Sequence, residues 1–226
     1  MRFLVVNFLR YYDFSPPFVQ KIIHRTTHFL FGLLHKFRFL TSANLLPVQT
    51  YLVHVSDICI ISKRIENNDI FSKYLYLGVV IGGDWDLEYE PIETIPLFEF
   101  SYKVFIENQK MEDTNYYQQI LAGNLETYIQ GEDHLRLRMN KYINLFKQIQ
   151  DKGYKPQTKI RGGNFFDEIC ISIDRNGHYI LEDGRHRLMI AKCLDLETIP
   201  VLVNRVHEDY WNKTKKHWDT KLNTLS

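Results

Sequence analysis

The chain has 226 residues, 45% of them hydrophobic and 14% aromatic, which supports one large folded domain, or a smaller one with an appendage, and excludes a disordered composition. Its 28 Lys and Arg nearly cancel its 27 Asp and Glu, for a formal net charge of +1, so attraction to nucleic acid or membrane has to come from local patches. Cys59, Cys170 and Cys193 are unclustered and sit in apolar patterns, which fits buried thiols in a reducing, cytoplasmic setting better than disulfides or zinc.

The first residues, Met1 to Leu9, form a short apolar run followed by Arg10 and Asp13 without a small-residue cleavage site, which speaks against a signal peptide. The apolar run Phe29 to Leu34 is too short for a transmembrane segment, which needs about 20 residues. From Phe14 through Ser56 there is no acidic residue, and Lys21, Arg25, Lys36 and Arg38 alternate with Val19, Ile22, Ile23, Phe29, Leu30, Leu33, Leu34 and Phe37 at helical spacing. Residues 1–50 therefore read as a basic amphipathic helical extension. Its charged face suits peripheral membrane contact or nucleic acid, and packing on the protein body is the plainer use. His24 and His28 are four apart, but Arg25-Thr26-Thr27 between them lacks the glutamate of a zinc-hydrolase helix.

Residues 51–133 read as a segment of strands and helices. Tyr51 to Ser62 is expected as a strand, and Leu75 to Ile81 as another that ends at Gly82-Gly83-Asp84-Trp85-Asp86. Asp84 and Asp86, at i and i+2, point the same way from an extended segment and suit a divalent cation. Lacking a nameable third ligand, they read better as solvent-facing acids beside a packed Trp85. Helices follow at Leu97 to Gln109, from Asp113 or Thr114 through Leu121, and at Asp133 to Gln150, the last stopping at Lys152-Gly153.

Next come a strand at Glu168 to Ile173, a turn at Asp174-Arg175-Asn176-Gly177 and a strand at His178 to Leu181. Asp183-Gly184-Arg185-His186-Arg187 then opens an apolar helix, and Ile199 to Asn204 forms a last strand. A glycine-initiated helix start with two arginines and a histidine gathers backbone N–H groups, the positive dipole end and cationic side chains. That is an anion site, best suited to phosphate. Asp183 has the alternative of capping the helix, Glu182 that of facing solvent, Arg185 that of pairing with a surface acid and His186 that of a structural donor. Residues 208–226 form a basic tail with Trp218.

Gly153, Gln157, Tyr179, Gly184 with Arg187, Ala191 and Ile199-Pro200-Val201 occur in this order, and over residues 134–207 the chain resembles the ParB/sulfiredoxin-like superfamily. The resemblance implies an α+β fold, with a mixed α/β core at the C-terminal side and a helical, partly β N-terminal extension. In that superfamily the Gly-x-x-Arg turn holds nucleotide phosphates. The implied phosphate ligands are Gly184, Arg185, His186 and Arg187, and Gln157 is an implied contact to nucleotide or substrate.

Known members differ in what they do, and this chain departs from two of them. Arg185 stands where sulfiredoxin has its cysteine, so sulfinic-acid reduction is not expected. About 20 residues follow His207, too few for the helix-turn-helix of a partitioning ParB. The remaining expectation is transfer of phosphate from ATP or CTP, with Mg2+, to a small-molecule hydroxylated acceptor. Asp183 would be the metal ligand, and Glu182, Asp183 and His186 the catalytic candidates. Asp167 and Glu168 are further carboxylates. The alternative is a nucleic-acid-binding protein or nuclease whose same arginines hold backbone phosphate.

Overall fold

In the computed structural model, the residues described are 46, 48–63, 76–126, 129–161, 163, 165–215 and 223–224. The chain divides into two compact units, Met1–Ala43 and Asn44–Ser226, and every described residue belongs to the second. The basic helix expected between Val19 and Phe37, the His24 and His28 pair and tail residues 216–222 lie outside the described residues.

The strands are β1 (Tyr51–His54), β2 (Ile60–Ser62), β3 (Val79–Ile81), β4 (Tyr89–Pro91), β5 (Ile169–Ile173), β6 (Tyr179–Asp183), β7 (Thr198–His207) and β8 (Asn223–Thr224). The helices are α1 (Pro96–Phe105), α2 (Asn115–Leu121), α3 (Gly131–Lys152), α4 (Arg185–Cys193) and α5 (Glu208–Thr214), with short 3-10 turns between several elements. The strands join in one mixed sheet in the order β4-β2-β6-β5-β7-β1-β8, and β3 also pairs with β7. The fold is of the α+β class.

β7 is the spine of the sheet. Its residues after Thr198 are buried throughout, as expected of a strand covered on both faces. One edge takes β5 in parallel, and the other takes β1 antiparallel over Thr198 to Val201 and β3 in parallel over Arg205 to His207. Opposite β5 the register moves from Ile171 facing Val203 to Ile173 facing Val206, a bulge that places an extra residue at Asn204 and Arg205.

One sheet face, carrying Ile169, Ile171, Ile173, Leu181, Val201 and Val203, shares a core with α1 to α4. In α3 the buried residues Leu135, Met139, Tyr142, Phe146 and Ile149 recur at four- and three-residue steps, the stripe that packs a helix on a core. On the other face Cys170 and Leu202 pack with Leu77, Val48, Phe165 and Phe166.

The three helices expected between Leu97 and Gln150 and the strands of residues 168–207 form, with α1 ending at Phe105 rather than Gln109 and β7 running on to His207. The strand expected over Tyr51 to Ser62 is instead two. The turn Val55–Asp57, where the Val55 N–H donates to the Glu197 carbonyl at 3.0 Å, sends β1 to β7 and β2 to β6. Of the stretch expected over Leu75 to Ile81, the described residues 76–81 are strand only at Val79–Ile81, because Gly78 at φ +75° turns the chain where a Cβ would lie 2.8 Å from the Leu46 carbonyl oxygen. Among the described residues no helix is long and apolar enough to cross a membrane.

Candidate functional site

β6 passes into α4 through Gly184, at φ +87° and ψ 23°. A Cβ there would stand 2.9 Å from both Cα and Cγ1 of Ile169, so glycine alone allows the helix start to sit on the first residue of β5. The N–H groups of Arg185, His186 and Arg187 have no acceptor within the helix and form its positive end. The Gly184 N–H donates to Asp183 Oδ1 at 2.6 Å, and Asp183 is exposed.

The two arginines diverge. Arg187 turns inward, where Nη1 donates to Glu168 Oε1 at 3.1 Å and Nη2 donates to the Asp167 carbonyl. The Arg187 side chain is 15% exposed and that of Glu168 1%. Glu168 also accepts from the Tyr154 hydroxyl at 2.9 Å and from the Gln157 backbone N–H at 2.8 Å. Gln157 thus reaches the site through its backbone. The cluster ties the exit of α3, the following turn, β5 and α4 to one buried carboxylate, which its donors satisfy.

Arg185 turns sideways, and Nη2 donates to Glu126 Oε1 at 2.5 Å. The same oxygen accepts from the Tyr116 hydroxyl at 2.6 Å, and Arg138 Nε lies 3.5 Å from Oε2. The Glu126 side chain is 7% exposed against 32% for Arg185. His186 packs edge-on against Tyr142, with ring centroids 4.7 Å apart. Burial, then the charges of Arg185 and Arg138, push its pKa down to about 3 against the pull of Glu126 and Asp183. The imidazole is neutral at physiological pH and too weak a base to hold a proton there.

Glu182 alternates with Leu181 and lies on the other sheet face. Its Oε1 accepts from Ser172 Oγ at 2.7 Å and from Arg205 Nη2 at 2.6 Å. The Arg205 guanidinium lies 4.5 Å from the Trp85 ring centroid and 5.6 Å from that of Tyr76. Beside it, Asn204 Oδ1 and Arg205 Nε are buried without a hydrogen-bond partner. The structure therefore gathers Asp183, Gly184, Arg185, His186 and Arg187 at one helix start and places Glu182 in a separate polar centre.

Asp84 and Asp86 do converge, on a cation the chain itself supplies. Arg175 donates from Nε to Asp86 Oδ2 at 2.9 Å and from Nη2 to Asp86 Oδ1 at 2.7 Å and Asp84 Oδ1 at 2.9 Å. Among the described residues no three His, Cys, Asp or Glu side chains group so as to hold a metal ion, and Asp183 offers a single carboxylate at the turn. Glu126 and Arg138 carry no signal in the sequence. Glu126 precedes Arg185 by 59 residues. No protein-family model, curated protein or solved structure gives a significant match to the chain.

Proposed function

We propose that the chain is a cytoplasmic nucleotide-binding protein of the ParB/sulfiredoxin-like kind. In this reading the Gly184 to Arg187 turn holds the phosphates of ATP or CTP with Mg2+, and phosphate passes to a small hydroxylated acceptor. The observation that carries it is the helix start itself, where Gly184 lets α4 begin on β5 and a partly exposed Arg185 already holds an anionic group. The order α3, β5, hairpin, β6, glycine turn, α4, β7 within one sheet supports the resemblance.

In this assignment the first N–H groups of α4 and the Arg185 guanidinium meet phosphate, and Arg187 holds the turn in shape through Glu168. Asp183, the exposed carboxylate at the turn, shares the magnesium. His186 serves as a neutral hydrogen-bonding group. Bound Mg2+ would neutralise phosphate charge.

A thermal-shift panel of ATP, CTP and GTP with magnesium tests the reading. A ligand at a hundred times its Kd should stabilise the fold by about 2.7 kcal/mol, Arg185→Ala should weaken this at least about tenfold in affinity, and nucleoside diphosphate should appear only with a hydroxylated acceptor. Absence of stabilisation by every nucleotide, together with steeply salt-dependent DNA binding, would replace this reading with the nucleic-acid one.

A further inference from the structure

The residue that engages Arg185 comes from an unexpected place. Glu126 lies in the connection between α2 and α3 rather than in either helix, and its backbone has φ 44°, in the left-handed region that a glutamate seldom adopts. Its carboxylate is nonetheless nearly buried and collects a guanidinium at 2.5 Å, a phenol at 2.6 Å and a second guanidinium nitrogen at 3.5 Å.

Two planar guanidinium groups converging from different elements form a donor set that suits phosphate oxygens as well as a carboxylate, whereas the Tyr116 hydroxyl serves Glu126. A carboxylate carries one negative charge, whereas a pyrophosphate group carries more, so the same donors favour the phosphate once it arrives.

We infer that Glu126 is an internal occupant of the anion site, an autoinhibitory contact that a polyphosphate displaces from Arg185 and Arg138. The inference rests on the phosphate-binding role of the α4 start proposed above. Ligand entry then requires the Glu126 side chain to leave Arg185. Release lets Glu126 leave its left-handed φ of 44°, which lowers the cost of the exchange.

The test is isothermal titration of inorganic pyrophosphate and of Mg-ATP into the wild-type chain, Glu126→Gln, Tyr116→Phe and the double variant Glu126→Gln, Arg185→Ala. Glu126→Gln keeps the side-chain shape and removes the competing charge. Its affinity for pyrophosphate should rise about tenfold or more, and the double variant should lose that gain. Tyr116→Phe removes a neutral donor from Glu126 and should give a smaller rise. It also decides the matter if Glu126→Gln fails to fold.

Binding by Glu126→Gln where wild type shows none supports the inference in its strongest form. Wild-type binding that is unchanged or weakened in both variants makes Glu126 a support for Arg185, overturning the inference and leaving the proposed function intact. Binding by none of the chains overturns both.

Discussion

Asp86→Asn isolates the contact that ties residues 82–86 to the hairpin after β5. The Asp86 side chain is 1% exposed and faces the Arg175 guanidinium at 2.7 Å and 2.9 Å and the Arg175 backbone N–H at 3.0 Å. Burial raises its pKa, but the Arg175 side chain and backbone, its own backbone N–H and His207 outweigh this and bring it from 3.8 down to about 2. At 1.36 kcal/mol per pKa unit the carboxylate contributes about 2 kcal/mol of stability. Because the folded-state value is the lower one, that contribution is present above the unfolded value of 3.8 and is lost as pH falls through about 2. About half should be gone at pH 3. The assay is urea denaturation of wild type and Asp86→Asn between pH 7 and pH 2.5, followed by tryptophan fluorescence. The variant should be about 2 to 3 kcal/mol less stable at neutral pH, and the gap should close as wild type is acidified. A gap that stays constant with pH, or one below about 0.5 kcal/mol at pH 7, would refute the linkage reasoning.

Two further outcomes follow from the site. Arg187→Ala leaves the Glu168 carboxylate buried without its guanidinium and should cost about 3–5 kcal/mol in chemical denaturation, with part recovered by the apolar and neutral pair Arg187→Met, Glu168→Gln. A cost under about 1 kcal/mol would mean that solvent reaches the pair. His186 is held neutral with its pKa lowered from 6.5 to about 3, so in that window the unfolded chain binds the proton and the folded chain does not. Stability should fall with decreasing pH by up to about 1.4 kcal/mol per pH unit, His186→Gln should flatten the slope, and a histidine NMR titration near 6.5 in the folded protein would contradict the assignment.

What was legible in the sequence had a short range. The 3.6-residue period exposed α3, the Asp174 to Gly177 turn marked its hairpin, and the glycine ahead of two arginines marked the start of α4. The split of Tyr51 to Ser62 into two strands of different sheet position was hidden, because both halves are apolar and the break depends on a bond from Val55 to Glu197 in a distant turn. Likewise the partners of the charged residues were hidden. Arg175 finds Asp86 and Arg205 finds Glu182 through sheet register and hairpin placement, which no local spacing encodes.

The same limit explains why the two box arginines read alike and stand apart. Residues two apart on an α-helix are rotated by about 200°, so Arg185 and Arg187 leave opposite sides of the first turn. The side facing β5 meets Glu168 beneath the sheet end, and the other meets the connection that carries Glu126. A motif that counts arginines treats them as equivalent phosphate ligands, yet their exposures of 15% and 32% separate a residue that fixes the turn from one that ligand can reach. In the proposed reading, Arg187 therefore governs whether the turn keeps its shape, and Arg185 what it holds. Loss of stability should track the first, and loss of ligand affinity in a folded protein the second.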